Sequence, residues 1–180
     1  MINMYETLDS LSFKEIMGYS IEAEENAYQF YTKMADGLSE LPAQRYHSLA
    51  SDEKMHKSEL LKLHKRLFGN DKYVVPDKEG LPPHEGDVNI DTIINLIQSL
   101  DAAIKSEHNA YEIYTYLAKN QPEHKKFFKL LAAMEHGHYE SLKAEKKMYE
   151  EGVDTKEIKG SEDPSIWIRE ERENISSKVR

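Results

Sequence analysis

No cysteine occurs among the 180 residues of this chain. That excludes disulfides, thiolate nucleophiles, cysteine-ligated zinc and iron–sulfur ligation in one step. Glycine and proline are scarce, at 8 and 6 residues. Gly69, Pro76, Gly80, Pro82, Pro83 and Gly86 share one stretch, which leaves long flanking segments almost free of helix breakers. Basic charge is also in short supply: 24 Lys and Arg face 33 Asp and Glu, a formal net charge of −9. The short cluster His64-Lys65-Arg66 is diluted by nearby acids. With no basic groove carrying interleaved aromatics, nucleic-acid binding is not expected. No run of about 18 apolar residues suggests a membrane span. Met1-Ile2-Asn3-Met4-Tyr5-Glu6 lacks the basic and apolar segments of a signal peptide. The expectation is a cytoplasmic protein with one sizeable core and no membrane partner.

What the chain has is helical periodicity. Phe13, Met17, Ile21, Tyr28, Tyr31, Met34 and Leu38 recur at steps of three and four, which predicts a helix over about 10–38. Pro42 suits the first turn of a second helix, about 42–68, and Gly69-Asn70 supplies its stop. Residues 69–89 read as a long non-helical crossover. Asn89 or Asp91 then caps a third helix, about 90–119, through Ile93, Ile97, Leu100, Ile104, Tyr111, Tyr114 and Leu117. A fourth follows Pro122 and runs over about 122–150 through Phe128, Leu131, Leu142 and Tyr149. The predicted class is all-α: a four-helix bundle of two hairpins spanning 1–152, with a polar C-terminal extension at 153–180.

The halves match each other. Glu24-Glu25-Asn26-Ala27-Tyr28-Gln29-Phe30-Tyr31 aligns with Glu107-His108-Asn109-Ala110-Tyr111-Glu112-Ile113-Tyr114. Likewise Leu49-Ala50-Ser51-Asp52-Glu53-Lys54-Met55-His56 aligns with Leu131-Ala132-Ala133-Met134-Glu135-His136-Gly137-His138. Two blocks at almost one offset imply a duplicated hairpin. Glu24 and Glu53 lie about equally far from the first turn, as do Glu107 and Glu135 from the second. At a constant rise of ~1.5 Å per residue, an antiparallel hairpin brings each pair to one level. In Glu53-x-x-His56 and Glu135-x-x-His138, carboxylate and imidazole share a helix face. Four unpaired carboxylates in a core are prohibitively costly, whereas two divalent cations offset their charge. One Glu from each of two helices and a Glu-x-x-His from each of the others suits iron or manganese.

These residues, with the repeated Glu-x-x-Ala-Tyr-x-x-Tyr blocks, resemble the ferritin-like di-iron carboxylate superfamily and its rubrerythrin-like branch over roughly 10–150. The resemblance implies two irons, with manganese or a mixed iron–manganese pair as alternatives. It makes Glu53 and Glu135 bridging ligands, Glu24 and Glu107 terminal ones, and gives one histidine, His56 or His138, to each metal. Two hallmarks of rubrerythrins differ here. No cysteine-ligated rubredoxin module can be present, and an extra labile glutamate is replaced by Ala110. The implied activity is reduction of hydrogen peroxide or dioxygen with electrons from an external donor. Alternatives are a ferroxidase or iron-storage protein, a di-iron oxygenase acting on an organic substrate, and a metal-stabilised bundle without catalysis.

Around the six ligands, Tyr28 and Tyr111 lie one turn from Glu24 and Glu107 and are candidates to hydrogen-bond those carboxylates or supply protons. Tyr31 and Tyr114 read as core packing with a hydroxyl that needs a partner. Glu25, Asp52 and the remaining histidines read as solvated or peripheral. A homodimer or higher homo-oligomer is expected, since a long crossover permits exchange of hairpins between subunits. Ile166-Trp167-Ile168, in an otherwise polar tail, is expected to dock on the bundle or on another subunit.

Overall fold

The computed structural model describes residues 3–38, 40–84 and 93–154. Five α-helices run in the order α1 (Met4–Asp9), α2 (Phe13–Gly37), α3 (Glu40–Phe68), α4 (Ile93–Asn120) and α5 (Lys125–Asp154), with a 3-10 turn at Pro122–His124. The all-α bundle read from periodicity is thus the fold. The proposed caps Asn89 and Asp91, and the tail segment Ile166-Trp167-Ile168, lie outside the described residues.

Helix α1 is an addition, because six residues are too few for apolar periodicity to register. Asn3 caps it by accepting a hydrogen bond from the Tyr5 amide, and Leu8 anchors it in the core. The chain then breaks, and α2 starts at Phe13 rather than near Ser10. Ser12 sets that start through a capping box: its hydroxyl accepts from the Glu15 amide, and the Glu15 carboxylate accepts from the Ser12 amide.

The core divides in two along the bundle. One apolar cluster takes Ile16, Met17 and Ile21 from α2, Leu60 and Leu63 from α3, Leu117 from α4, and Phe128 and Leu131 from α5. The other takes Phe30 and Met34, Tyr46 and Leu49, Leu96 and Leu100, and Leu142 from the same helices. The first cluster therefore gathers the start of α2, the end of α3, the end of α4 and the start of α5. Each hairpin is antiparallel, and α4 runs parallel to α3. A polypeptide linking the end of α3 to the start of α4 must travel the full bundle length, which a 28-residue helix sets at ~42 Å. On each of α2 to α5, the residue numbers jump between the clusters at Glu24, Glu53, Glu107 or Glu135. The polar site occupies that gap.

The described part of the crossover lies along α2. The Tyr73 hydroxyl donates to Glu22 Oε2 at 2.9 Å, and the Tyr19 hydroxyl donates to the Pro82 carbonyl at 2.9 Å. Between them, Val74 passes so close to Gly18 that a Cβ there would overlap the Val74 carbonyl oxygen. Gly80, at φ +94°, turns the segment back toward Tyr19. Gly18 is thus a packing requirement, and Gly18→Ala is expected to destabilise the fold by about 1–3 kcal/mol through overpacking. Denaturant unfolding measures this, and limited proteolysis should find the crossover opened before the helices. An unchanged midpoint would show that Val74 can move away at no cost.

Candidate metal centre

Five ionisable side chains are almost wholly withdrawn from solvent at mid-bundle. Glu24, Glu53, His56, Glu107 and Glu135 are 0–3% exposed. His138 completes the group, with 12% of its side chain exposed. They form two overlapping tetrads. Ligand atoms of Glu24, Glu53, His56 and Glu135 lie within 4.8 Å of one another, as do those of Glu53, Glu107, Glu135 and His138. Glu53 and Glu135 belong to both tetrads, while Glu24 with His56 and Glu107 with His138 stand at either end. The six residues selected by spacing are therefore brought together, with the duplicated hairpins supplying near-equivalent halves.

The histidines present their Nδ1 atoms to the cluster. His56 Nδ1 is 3.0 Å from Glu53 Oε2, 2.8 Å from Glu135 Oε1 and 3.5 Å from Glu24 Oε2. His138 Nδ1 is 3.0 Å from Glu53 Oε1 and 3.5 Å from both Glu107 Oε2 and Glu135 Oε2. His56 Nδ1 and Glu53 Oε2 form a hydrogen bond, but proximity alone does not pair the rest. Glu53 Oε1, Glu135 Oε1 and His138 Nδ1 are buried without a hydrogen-bond partner of acceptable geometry. Lone pairs converging on one point rather than on each other's protons are a costly arrangement for a metal-free core, and the one that cation ligands need. Carboxylate oxygens with imidazole nitrogens and no thiolate fit iron or manganese.

The electrostatics agree with the packing. Burial pushes the Glu24 carboxyl well above its ordinary range, and the facing Glu135 and Glu53 push it the same way. Burial does the same to Glu107, reinforced by Glu53 and Glu135. At Glu135, burial is overcome by the adjacent His138 and His56 imidazoles, which hold its carboxyl down at about 2. Burial disfavours a charged imidazole, yet the surrounding carboxylates raise both His56 and His138. The metal-free cluster therefore retains protons that a divalent ion would displace.

Two tyrosines complete the inner framework, and they are not the pair expected. The Tyr31 hydroxyl donates to Glu107 Oε1, and the Tyr114 hydroxyl donates to Glu24 Oε1. Both rings are 1% exposed, and each bond crosses between α2 and α4. Tyr28 and Tyr111 make no such bond. Lys54 Nζ lies 5.6 Å from the Tyr28 ring centroid, and Tyr111 stands beside His108 and His136. The reason is angular. A residue seven positions on returns within ~20° of the starting face, whereas four positions overshoot it by ~40°. Because α2 and α4 are antiparallel, the tyrosine seven residues from one glutamate meets the glutamate of the facing helix. The repeated block held the signal, in the second tyrosine of each copy.

Asp52 was also read as a solvated side chain. It lies on α3 with Oδ2 at 3.4 Å from His138 Nε2, where it orients the ring from behind. The aligned position on α5 is Met134, and His56 Nε2 is buried without a partner. The two halves are thus unequal behind their histidines. Asp52→Asn is expected to weaken divalent-metal binding about 10-fold at one of two positions. Calorimetric titration should then resolve two classes of site further apart than in the parent protein, and two unshifted classes would remove Asp52 from this role.

The raised carboxyls and imidazoles also fix the sign of a pH dependence. A folded-state pKa above the unfolded value contributes stability at low pH that is lost as pH rises. For Glu24 and Glu107 the window opens above the ordinary 4.5, and for His56 and His138 above 6.5. Glu135 acts oppositely, but its window lies between about 2 and 4.5, below this range. Metal-free protein should therefore melt at progressively lower temperature from about pH 5 to about pH 8, while the stabilisation given by Mn(II) grows over the same range. Parallel curves with and without metal would contradict this.

Residues 15–146 match a family model described as Rubrerythrin. A hypothetical protein from Pyrococcus furiosus is similar in structure, with a TM-score of 0.74 and 29% sequence identity over 83% of this chain and 96% of that one. An uncharacterized conserved protein from Magnetospirillum magnetotacticum gives a TM-score of 0.58 at 21% identity, covering 77% of this chain and 95% of that one. The second likeness is one of fold alone. No curated protein matches.

Proposed function

Since this chain belongs to the rubrerythrin family of ferritin-like di-iron proteins, we propose that it is a peroxide-reducing oxidoreductase working at a two-iron site. The observation that carries this reading is the pair of buried tetrads sharing Glu53 and Glu135. Glu53 and Glu135 would hold both irons, Glu24 and His56 one of them, and Glu107 and His138 the other. When bound, the reduced iron pair supplies two electrons to the oxidant. With two protons, those electrons would balance the reduction of one hydrogen peroxide to two waters. Dioxygen is the competing oxidant.

The chain's own residues supply the rest. Tyr114 and Tyr31 fix the outer carboxylates through their hydroxyls. Burial and the adjacent Glu24 push the Tyr114 hydroxyl well above its ordinary value, so it keeps its proton and remains a donor to Glu24 Oε1. The apolar clusters above and below exclude bulk water and strengthen every charge interaction between them. Regeneration requires a separate one-electron donor, because the chain has no thiolate-ligated centre. We further propose that the protein works in the cytoplasm as a homodimer or larger homo-oligomer. A large hollow assembly would instead favour iron oxidation for storage.

Reconstitution under anaerobic conditions should give about two irons per chain, and each peroxide consumed should oxidise about two of them. Glu53→Ala and Glu135→Ala are expected to abolish both positions, and Glu24→Ala about one. Elemental analysis with stopped-flow absorbance measures all of these. Fewer than about two metals per parent chain would overturn the site, and faster reaction with dioxygen than with peroxide would overturn the choice of oxidant.

A further inference from the structure

Between α2 and α4, beneath the end of the described crossover, lies a cavity of about 20 Å³ bordered by Ser20, Ala110, Ile113, Tyr114, Pro82 and His84. It is set against the metal cluster. Tyr114 is a wall of the cavity and also donates its hydroxyl to Glu24, while Ala110 follows Glu107 by one turn of α4. The opposite side is lined by the crossover: the His84 ring stacks on Tyr19 at 5.5 Å between centroids, and the Tyr19 hydroxyl holds the Pro82 carbonyl at 2.9 Å.

Two features indicate an occupant. Ser20 is 2% exposed, and its hydroxyl has no hydrogen-bond partner. A buried hydroxyl left unpaired costs about 1–3 kcal/mol. The duplicated halves also part company here. The aligned counterparts of Ser20, Ile113 and Ser106 are Ala103, Phe30 and Ala23, so the other copy has a methyl for the hydroxyl and a bulky ring for the Ile113 side chain. The cavity and its polar group belong to one half alone.

Resting on the two-iron reading above, we propose that this cavity is the antechamber for hydrogen peroxide, with Ser20 as its binding residue. Size and polarity select that guest. A water-sized molecule needs about 10–15 Å³ of such space, so the cavity suits a molecule of about two heavy atoms better than an alkyl hydroperoxide. A hydroxyl both donates to and accepts from peroxide, whereas it offers dioxygen little. Ala110 keeps the chamber open, since a longer side chain at that position would fill it.

The test uses full-length protein loaded with ferrous iron, with metal content and melting temperature measured for each variant. Nitric oxide serves as a neutral two-atom probe whose association is followed spectroscopically, independently of turnover. Ala110→Leu should retain both metals while slowing nitric oxide association and peroxide oxidation about 10-fold or more. Ser20→Leu is the second filling variant should Ala110→Leu fail to fold. Ser20→Ala should slow the peroxide reaction several-fold and leave nitric oxide association and the dioxygen reaction unchanged. In the parent protein, cumene hydroperoxide should react at least about 10-fold more slowly than hydrogen peroxide. Metal-replete filling variants with parental nitric oxide rates would overturn the antechamber, as would cumene hydroperoxide reacting as fast as hydrogen peroxide. An equal effect of Ser20→Ala on all three small molecules would overturn peroxide selection. If the metal-replete parent protein reduces neither oxidant, the oxidoreductase reading fails, and the nitric oxide arm still decides whether this is the route to the metals.

Discussion

Four carboxylates enclosed at the centre of a helical bundle are the constraint around which this molecule is organised. Burying a charge without a partner costs far more than any single hydrophobic contact returns. The fold answers by confining the acids to one zone, seating two imidazoles among them, and sealing the zone above and below with separate apolar clusters. Protons on Glu24 and Glu107 carry part of the load in the metal-free state. Divalent ions would carry it better, because each replaces several imperfect contacts with direct coordination.

That arrangement explains the architecture of the helices. Each must be long enough to contribute apolar residues on both sides of the charged zone, which is why α2 to α5 span 25 to 30 residues. Each must also carry its ligand near the middle. The long crossover follows from the same need: the second hairpin repeats the first with its direction reversed about the site, so the chain must travel the bundle before starting again. The described part of the crossover is used. It packs on α2 through Gly18 and Tyr19 and lines a small chamber beside the cluster.

Duplication gives near symmetry, and function would exploit the departures from it. Tyr31 and Tyr114 preserve the pattern, each crossing to the glutamate of the opposite helix. Asp52 against Met134 breaks it behind the histidines, and Ser20 against Ala103 breaks it beside the carboxylates. The two tetrads, alike in their residue types, thus sit in different surroundings.

The sequence by itself determined the all-α class, the duplicated hairpin and which six side chains cluster at mid-bundle. All three follow from spacing: the helical repeat is rigid, so residues three or four apart share a face and equal distances from a turn share a level. It did not determine α1, which is shorter than the window over which periodicity is legible, and it misassigned the tyrosines. Tyr28 and Tyr31 are both near Glu24 in sequence, but which one reaches a carboxylate depends on the antiparallel register of α2 against α4. The seven-residue spacing puts Tyr31 on the face of Glu24, but it does not say which carboxylate the hydroxyl meets. Only the tertiary structure decided it, as it decided that Asp52 faces a histidine of another helix and that the crossover roofs Ser20. Contacts within a helix are set by its geometry, whereas contacts between elements distant in the chain are set by how whole faces pack.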